Sequence, residues 1–282
     1  MRGLAAALVL SFGVLVATSR PPRALVLTSA TSAVPDADVV RVLARSHLAM
    51  VTDLYWIRMT ALGARANRPD EGRALIAWGE FVTDLDPTMF WAYAMGGILG
   101  GMRLGGVSYN GAEAVHLLEK GTRHLDDPRL FIYCSYAQLN LLDDPEGAAG
   151  TLMRGATKPG APPFMAALAT RLLAQEGHFE RARTFAETMA QSEDPTTRET
   201  FELRLKEIER ERVLTQVEAA AQTYAQRFGH VPASLATLVA EGLLAEYPVD
   251  PLGGSISLAP DGQVTVTSGA RLRVFKSIDE EP

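Results

Sequence analysis

The sequence predicts an all-α protein: a stack of short helix pairs, then a long C-terminal helix capped by a small β-hairpin. Three observations carry this reading. Apolar residues recur at helical spacing from Asp36 onward, proline-marked corners divide the chain up to Pro195 into units of similar length, and residues 197–228 contain neither Pro nor Gly. The 282-residue chain is 47% hydrophobic and 21% charged, the balance of a folded protein with a real core. Its net charge of −6 disfavours nucleic-acid partners, which select a basic face.

The first element is an address. Residues 3–19 form an uncharged apolar run behind Arg2, predicting a signal peptide or an N-terminal membrane anchor. Ala17-Thr18-Ser19 offers a small-x-small cleavage site, so the segment either anchors the chain in the inner membrane or is removed. Both readings place the remainder in the periplasm. Residues 20–36, "RPPRALVLTSATSAVPD", lack helical period and read as a linker.

Residues 37–197 carry the helical units. In the first of them Val39, Val42, Leu43, Leu48, Leu54, Ile57 and Leu62 follow a 3.6-residue period. Corners then fall at Leu85-Asp86-Pro87, Asp126-Asp127-Pro128, "GAPP" of 160–163 and Glu193-Asp194-Pro195, with prolines 41, then about 34, then about 32 residues apart. Between them, "EGHFERARTFAETM" places Gly177, Phe179, Ala182 and Met189. The preceding unit has Tyr133, Ala137, Ala149 and Met153, and the one before it Tyr93, Gly97 and Ala114. Small residues suit places where two helices cross closely, and larger ones fill the gap beside them.

Over roughly residues 50–197 this pattern resembles the tetratricopeptide-repeat superfamily. The unit at 128–163 departs from it by having "DDPEGAA" at its corner, and the unit at 90–125 by the insertion "GGMRLGGVSYNG". The resemblance implies a helical-repeat solenoid in which the first helix of each pair lines a concave face. It therefore implies partner-binding roles for Trp91, Phe131, Gln138, Phe164 and Arg171.

Residues 198–229 predict one long helix with an apolar stripe, Phe201, Leu205, Ile208, then Val213, Val217, Ala220, Tyr224 and Phe228, broken by a single five-residue skip. Residues 230–275 predict a short helix over 234–240, then turns, then a β-hairpin in which Ile256, Leu258, Val264 and Val266 alternate around "PDG". Residues 276–282 form an acidic C-terminus. Tyr224, Gly229, Pro232, Leu235, Leu238, "GLL" at 242–244 and "PVDPLG" at 248–253 resemble the globular end of type II secretion major pseudopilins. Leu252 stands where that family has Trp, and the prepilin start is absent.

Chemistry is disfavoured by the remaining motifs. His47, His116, His124, His178 and His230 show no paired ligand spacing, so no metal or other cofactor is expected. The glycines at 96, 97, 100, 101, 105 and 106 match no phosphate-loop pattern and are read as helix packing and a loop. Asp126-Asp127 and Asp143-Asp144 stand beside prolines, where carboxylates favour helix starts. The single cysteine, Cys134, lies in an apolar helical pattern and reads as a buried inert thiol. The expectation is a non-catalytic envelope scaffold whose partner is a pilus or secretion component. A transporter accessory and a hydrolase with an unrecognised site are the alternatives.

Overall fold

The computed structural model describes residues 34–104 and 107–272. The predicted membrane segment 3–19, most of the linker, Gly105, Gly106 and the acidic C-terminus 276–282 lie outside the described residues. The described chain is mostly helical, with two two-stranded sheets. None of its helices is long and apolar enough to cross a membrane.

In order the elements are α1 (Ala37–Ala44), a 3-10 turn (Arg45–His47), α2 (Leu48–Gly63), α3 (Pro69–Leu85) and α4 (Phe90–Gly100). A hairpin β1 (Met102–Leu104) and β2 (Val107–Tyr109) precedes α5 (Gly111–His124), α6 (Pro128–Leu141) and α7 (Pro145–Ala156). Then come α8 (Phe164–Gln175), α9 (Phe179–Ala190), α10 (Pro195–Phe228), α11 (Leu235–Ala240), β3 (Ile256–Leu258) and β4 (Val264–Val266).

Three Asp-Pro pairs work as helix starts, while Asp86-Pro87 lies in the turn between α3 and α4. Pro128, Pro145 and Pro195 occupy the first turns of α6, α7 and α10, where a missing N–H costs nothing. Asp127, Asp144 and Asp194 cap those same helices, each accepting from a backbone N–H of the first turn. Gly177 sits at φ +78° in the corner between α8 and α9, a conformation that glycine adopts without a Cβ clash. The insertion "GGMRLGGVSYNG" forms the β1–β2 hairpin, with Met102 opposite Tyr109.

Consecutive helices from α2 to α10 pack on one another, and α2 with α4, α3 with α5, α4 with α6 and α8 with α10 also touch. The crossings are close. A Cβ on Gly97 would lie 2.3 Å from Leu118 Cγ, and one on Gly100 would lie 2.4 Å from Ile76 Cγ1. Ala114, Ala149 and Ala182 are all fully buried at helix contacts. Lys120 of α5 ties α3 at its side, its ammonium 2.7 Å from both Glu80 and Asp84.

The first helices are helical as the period predicts, but much of their apolar pattern faces water. Val39, Val42, Leu43, Leu54 and Ile57 face outward, with Ile57 60% exposed, while Leu48 and Leu62 are half-buried. Helix α2 instead turns Thr52, Tyr55 and Met59 inward, because the Tyr55 ring packs on Trp78 and Phe81 of α3. An apolar helix has no unique inner face by pattern alone, and this aromatic contact selects it.

Helix α10 joins two cores. Phe201 and Ile208 pack with Leu172, Phe185 and other side chains of α7 to α9. Leu214, Val217, Ala221 and Tyr224 pack with Leu235 and Leu238 of α11 and Ile256 of β3. The boundary expected at 197/198 therefore falls inside one helix, which begins at Pro195 and ends at Gly229 in the left-handed conformation. At the five-residue skip between Ile208 and Val213 the helix buries two charges, Arg210 and Glu211.

Those charges receive the end of the described chain. Arg210 donates to the Ser268 hydroxyl at 3.0 Å and to the Ala270 carbonyl, and Glu211 accepts from Arg271 and from the Leu272 N–H at 3.2 Å. The turn before the hairpin is built on buried Asp250, which accepts from the Leu252 N–H at 2.9 Å and the Gly254 N–H at 3.1 Å. In the hairpin itself Ile256 pairs with Val266 and Leu258 with Val264.

Candidate functional site

Helix α6 is held on three sides by α4, α5 and α7. That leaves one narrow outward stripe, Arg129, Tyr133, Tyr136 and Asn140, at i, i+4, i+7 and i+11. Helix α4 contributes Phe90 and Trp91 beside it. The Trp91 ring meets Phe90 edge-on at 5.0 Å, and Phe90 lies 6.2 Å from Tyr133. The Arg129 guanidinium covers the Phe90 ring at 4.5 Å.

The arginine is oriented from behind. Its Nε donates to Asp127 at 3.0 Å, and Asp127 is also the cap of α6. The hydrogen bond from Arg129 holds the Asp127 carboxyl below the usual carboxylate range, outweighing its partial burial. One carboxylate thus starts the helix and fixes the cation over the aromatic ring. The outcome is a surface of Trp, Tyr and a positioned Arg, with Trp91 53% and Tyr136 55% exposed and Phe90 and Tyr133 half-buried beneath them. Aromatic residues and arginine are the types that dominate binding energy at protein interfaces, since they bring large contact area with little rotamer freedom to lose.

The residues expected to line a groove separate into two groups. Trp91 on α4 and Phe164 at the start of α8 are exposed. Phe131 and Gln138 are interior, a correction of the expected phase. They point toward α5 and α7: a Cβ on Gly155 of α7 would come 2.6 Å from Phe131, and Gln138 Nε2 donates to Glu119 of α5 at 3.2 Å. Arg171 is half-buried and close to Arg204 of α10. Burial holds the Arg204 guanidinium below the usual arginine range; Glu207 at 2.9 Å opposes this and Arg171 reinforces it.

Sequence reasoning missed Phe90, Arg129, Tyr133 and Tyr136. The signal for three of them was present in "RLFIYCSYAQLN", where the helical spacing of Arg129, Tyr133 and Tyr136 defines a stripe distinct from Phe131 and Gln138. Which stripe faces out depends on which neighbours surround α6.

Two clefts accompany this surface. One of about 480 Å³ lies among α5, α6 and α7 and is lined by Glu119, Arg123, Arg154 and Lys158 above Phe131. Lys158 stands 5.7 Å over the Phe131 ring and pairs with Asp126 at 2.6 Å. The other, of about 570 Å³, lies between α10 and the C-terminal hairpin, lined by Glu218, Gln222, Asp261 and Arg271. Its Arg271 is already engaged with Glu211 and Glu218. Among the described residues no group of His, Cys, Asp and Glu is arranged to hold a metal ion. Cys134 is fully buried, and burial pushes its thiol up to about 12, a value that keeps it protonated at neutral pH.

Comparison with known proteins adds no relative: no family model, no curated protein and no solved structure matches the chain.

Proposed function

We propose that the protein is a non-catalytic scaffold or adaptor of the cell envelope that captures a protein segment on the aromatic surface of α4 and α6. The observation that carries this reading is the exposed Trp91 and Tyr136 beside half-buried Phe90 and Tyr133, with Arg129 fixed over the Phe90 ring. Such side chains left in water lose nothing by being covered, and the preset arginine offers a directed donor to a carboxylate or backbone carbonyl.

The architecture behind it is a tetratricopeptide-like repeat solenoid. The reading is supported by contacts between alternate as well as consecutive helices, and by fully buried alanines at 149 and 182, one repeat length apart. The uncharged run 3–19 supports export with retention at the inner membrane or release after cleavage. In sequence, Tyr224, Gly229, Pro232 and "PVDPLG" at 248–253 resemble the globular end of type II secretion major pseudopilins, and this supports a pilus-like or secretion-like assembly as the partner's source.

The test places a photo-crosslinking amino acid at Trp91 or Tyr136 in the full-length protein in cells. A discrete adduct with an envelope protein is expected from both positions and from neither Phe131 nor Gln138. An adduct pattern no different from that of a probe at Glu180, on α9, removes this surface as the capture site. A periplasmic reporter fused after Pro282 tests export separately: inactivity with stable expression removes the envelope reading.

A further inference from the structure

Helices α1 and α2 present a second exposed apolar face, and its chemistry differs from that of the aromatic surface. Val39, Val42 and Leu43 on α1 and Met50, Leu54 and Ile57 on α2 are each more than half exposed, with Leu43 reaching 79%. On α2 the stripe recurs at i, i+4 and i+7, opposite the inward Thr52 and Met59. The helix is thus apolar on its outer side and carries a buried threonine on its inner side. Folding gives no account of that placement, because α3 is already satisfied by Tyr55, Thr52 and Met59.

The charges around it identify the kind of cover. Residues 37–68 hold five arginines against two aspartates, in a chain whose net charge is −6. Arg41 pairs with Asp38 and Arg68 with Asp70, but Arg45, Arg58 and Arg65 have no carboxylate partner among the described residues. Arg45 and Arg65 only donate to carbonyls of their own helices, and Arg58 lies over Trp78. The linker adds Arg20 and Arg23 against one acid, Asp36. Exposed Asp38 and Asp53 lie beside the stripe, yet arginines exceed acids by three over residues 37–68, and an apolar stripe with that balance fits an anionic lipid surface: aliphatic side chains enter the acyl boundary while guanidinium groups meet phosphates.

Chain length gives an independent reason. The apolar run ends at Ser19 and α1 begins at Ala37. Seventeen linker residues reach at most roughly 60 Å even when fully extended. A bilayer holding the run keeps α1 and α2 within that distance of its surface.

We propose that α1 and α2 lie on an anionic membrane surface, with Leu43, Leu54 and Ile57 entering its interfacial layer. This inference rests on the inner-membrane retention within the proposed function but not on partner capture by the aromatic surface: it concerns a different face and a lipid instead of a protein.

The full-length protein is reconstituted into vesicles of phosphatidylglycerol with phosphatidylcholine, and compared with vesicles of phosphatidylcholine alone. An environment-sensitive fluorophore is attached at Leu54→Cys, Ile57→Cys or, as a control on the aromatic surface, Tyr136→Cys; buried Cys134 stays unlabelled. Lipid-borne nitroxides are expected to quench the probes at 54 and 57 several-fold more than the probe at 136. That excess is expected to shrink without phosphatidylglycerol, and in the Arg45→Ser, Arg65→Ser double variant. Equal quenching at all three positions overturns the proposal. A blue shift that follows protein concentration instead of lipid assigns the face to a second copy and also overturns it. Because positions 54 and 57 are exposed, an unchanged melting temperature in each labelled variant is expected, and a folded variant without excess quenching counts against the proposal.

Discussion

Glu211 and Arg271, sixty residues apart in sequence, form an ion pair at 2.6 Å whose carboxylate side chain is only 4% exposed. The same carboxylate accepts from the Leu272 N–H, so Glu211 joins buried Arg210 in holding the end of the described chain against α10. Arg271 also reaches Glu218, about two helical turns further along α10. Burial works against the Arg271 charge, yet its hydrogen bonds to Glu218 and Glu211 outweigh this and leave its pKa raised.

Removing one partner leaves the other buried and uncompensated. Arg271→Ala is therefore expected to destabilise the protein by roughly 3 kcal/mol, whereas a surface pair is worth about 1 kcal/mol at most. Arg183→Ala, which breaks an exposed i,i+4 pair with Glu187 on α9, is the internal control. Urea unfolding of the two variants compares them; equal midpoints would show that the buried pair does not hold the tail.

Helix crossings give a paired test in which two glycines respond with opposite sign. Gly97→Ala drives a methyl into Leu118 and should cost about 1–3 kcal/mol. Gly150, in α7, has nothing within 4 Å of an added Cβ, so Gly150→Ala should gain roughly 0.5–1 kcal/mol from helix propensity. Ala182→Leu, at a fully buried crossing of α9, should match Gly97→Ala in direction. Thermal melts read all three, and a neutral Gly97→Ala would mean that α4 and α5 do not cross as closely as described.

Alkaline pH should loosen the helical body. The Cys134 thiol stays protonated in the folded state up to about 12, but ionises from 9.0 once exposed. Between those values the unfolded chain binds fewer protons, so stability falls as pH rises, by up to roughly 1.4 kcal/mol per unit. Lys120 acts in the same direction. Burial lowers its pKa, but hydrogen bonds to Asp84 and Glu80 outweigh this and raise it above 10.5. Its contribution is complete below that value and is lost as pH climbs through the folded one. Denaturation midpoints are expected to drop from about pH 9 upward, and Cys134→Ala should flatten the first part of the fall. A thiol reagent at pH 8 should label Cys134 only after denaturant is added; rapid labelling of native protein would contradict its burial.

Much of the local structure was readable from residue order. Pro128, Pro145 and Pro195 with their preceding aspartates start helices because proline tolerates a first turn and aspartate satisfies its free N–H groups. The absence of Pro and Gly through residue 228 gave α10 its length, and Gly229 its end. Alternation around Asp261-Gly262 gave the hairpin, and Ser234 the cap of α11.

The candidate surface was only half readable. Trp91 was singled out and is exposed, but Phe131 and Gln138 were assigned to the same face and are interior. Helix α6 is rich in large residues all round its circumference, so hydrophobic period cannot set its rotation. Its rotation is set by α4, α5 and α7 closing over Leu130, Phe131, Cys134 and Gln138.

By itself the sequence determined several helix ends, among them the starts at Pro128 and Pro145 and the stop at Gly229, because caps, prolines and glycines act within a few residues through backbone hydrogen bonds and steric limits. Only the tertiary structure decided which sides of those helices meet water. The outward turn of Leu54 and Ile57, the inward turn of Phe131, and the placing of Arg210 and Glu211 at the break in the α10 stripe all depend on partners far away in sequence. Burial is a property of the assembled neighbours, and no local pattern along a helix contains them.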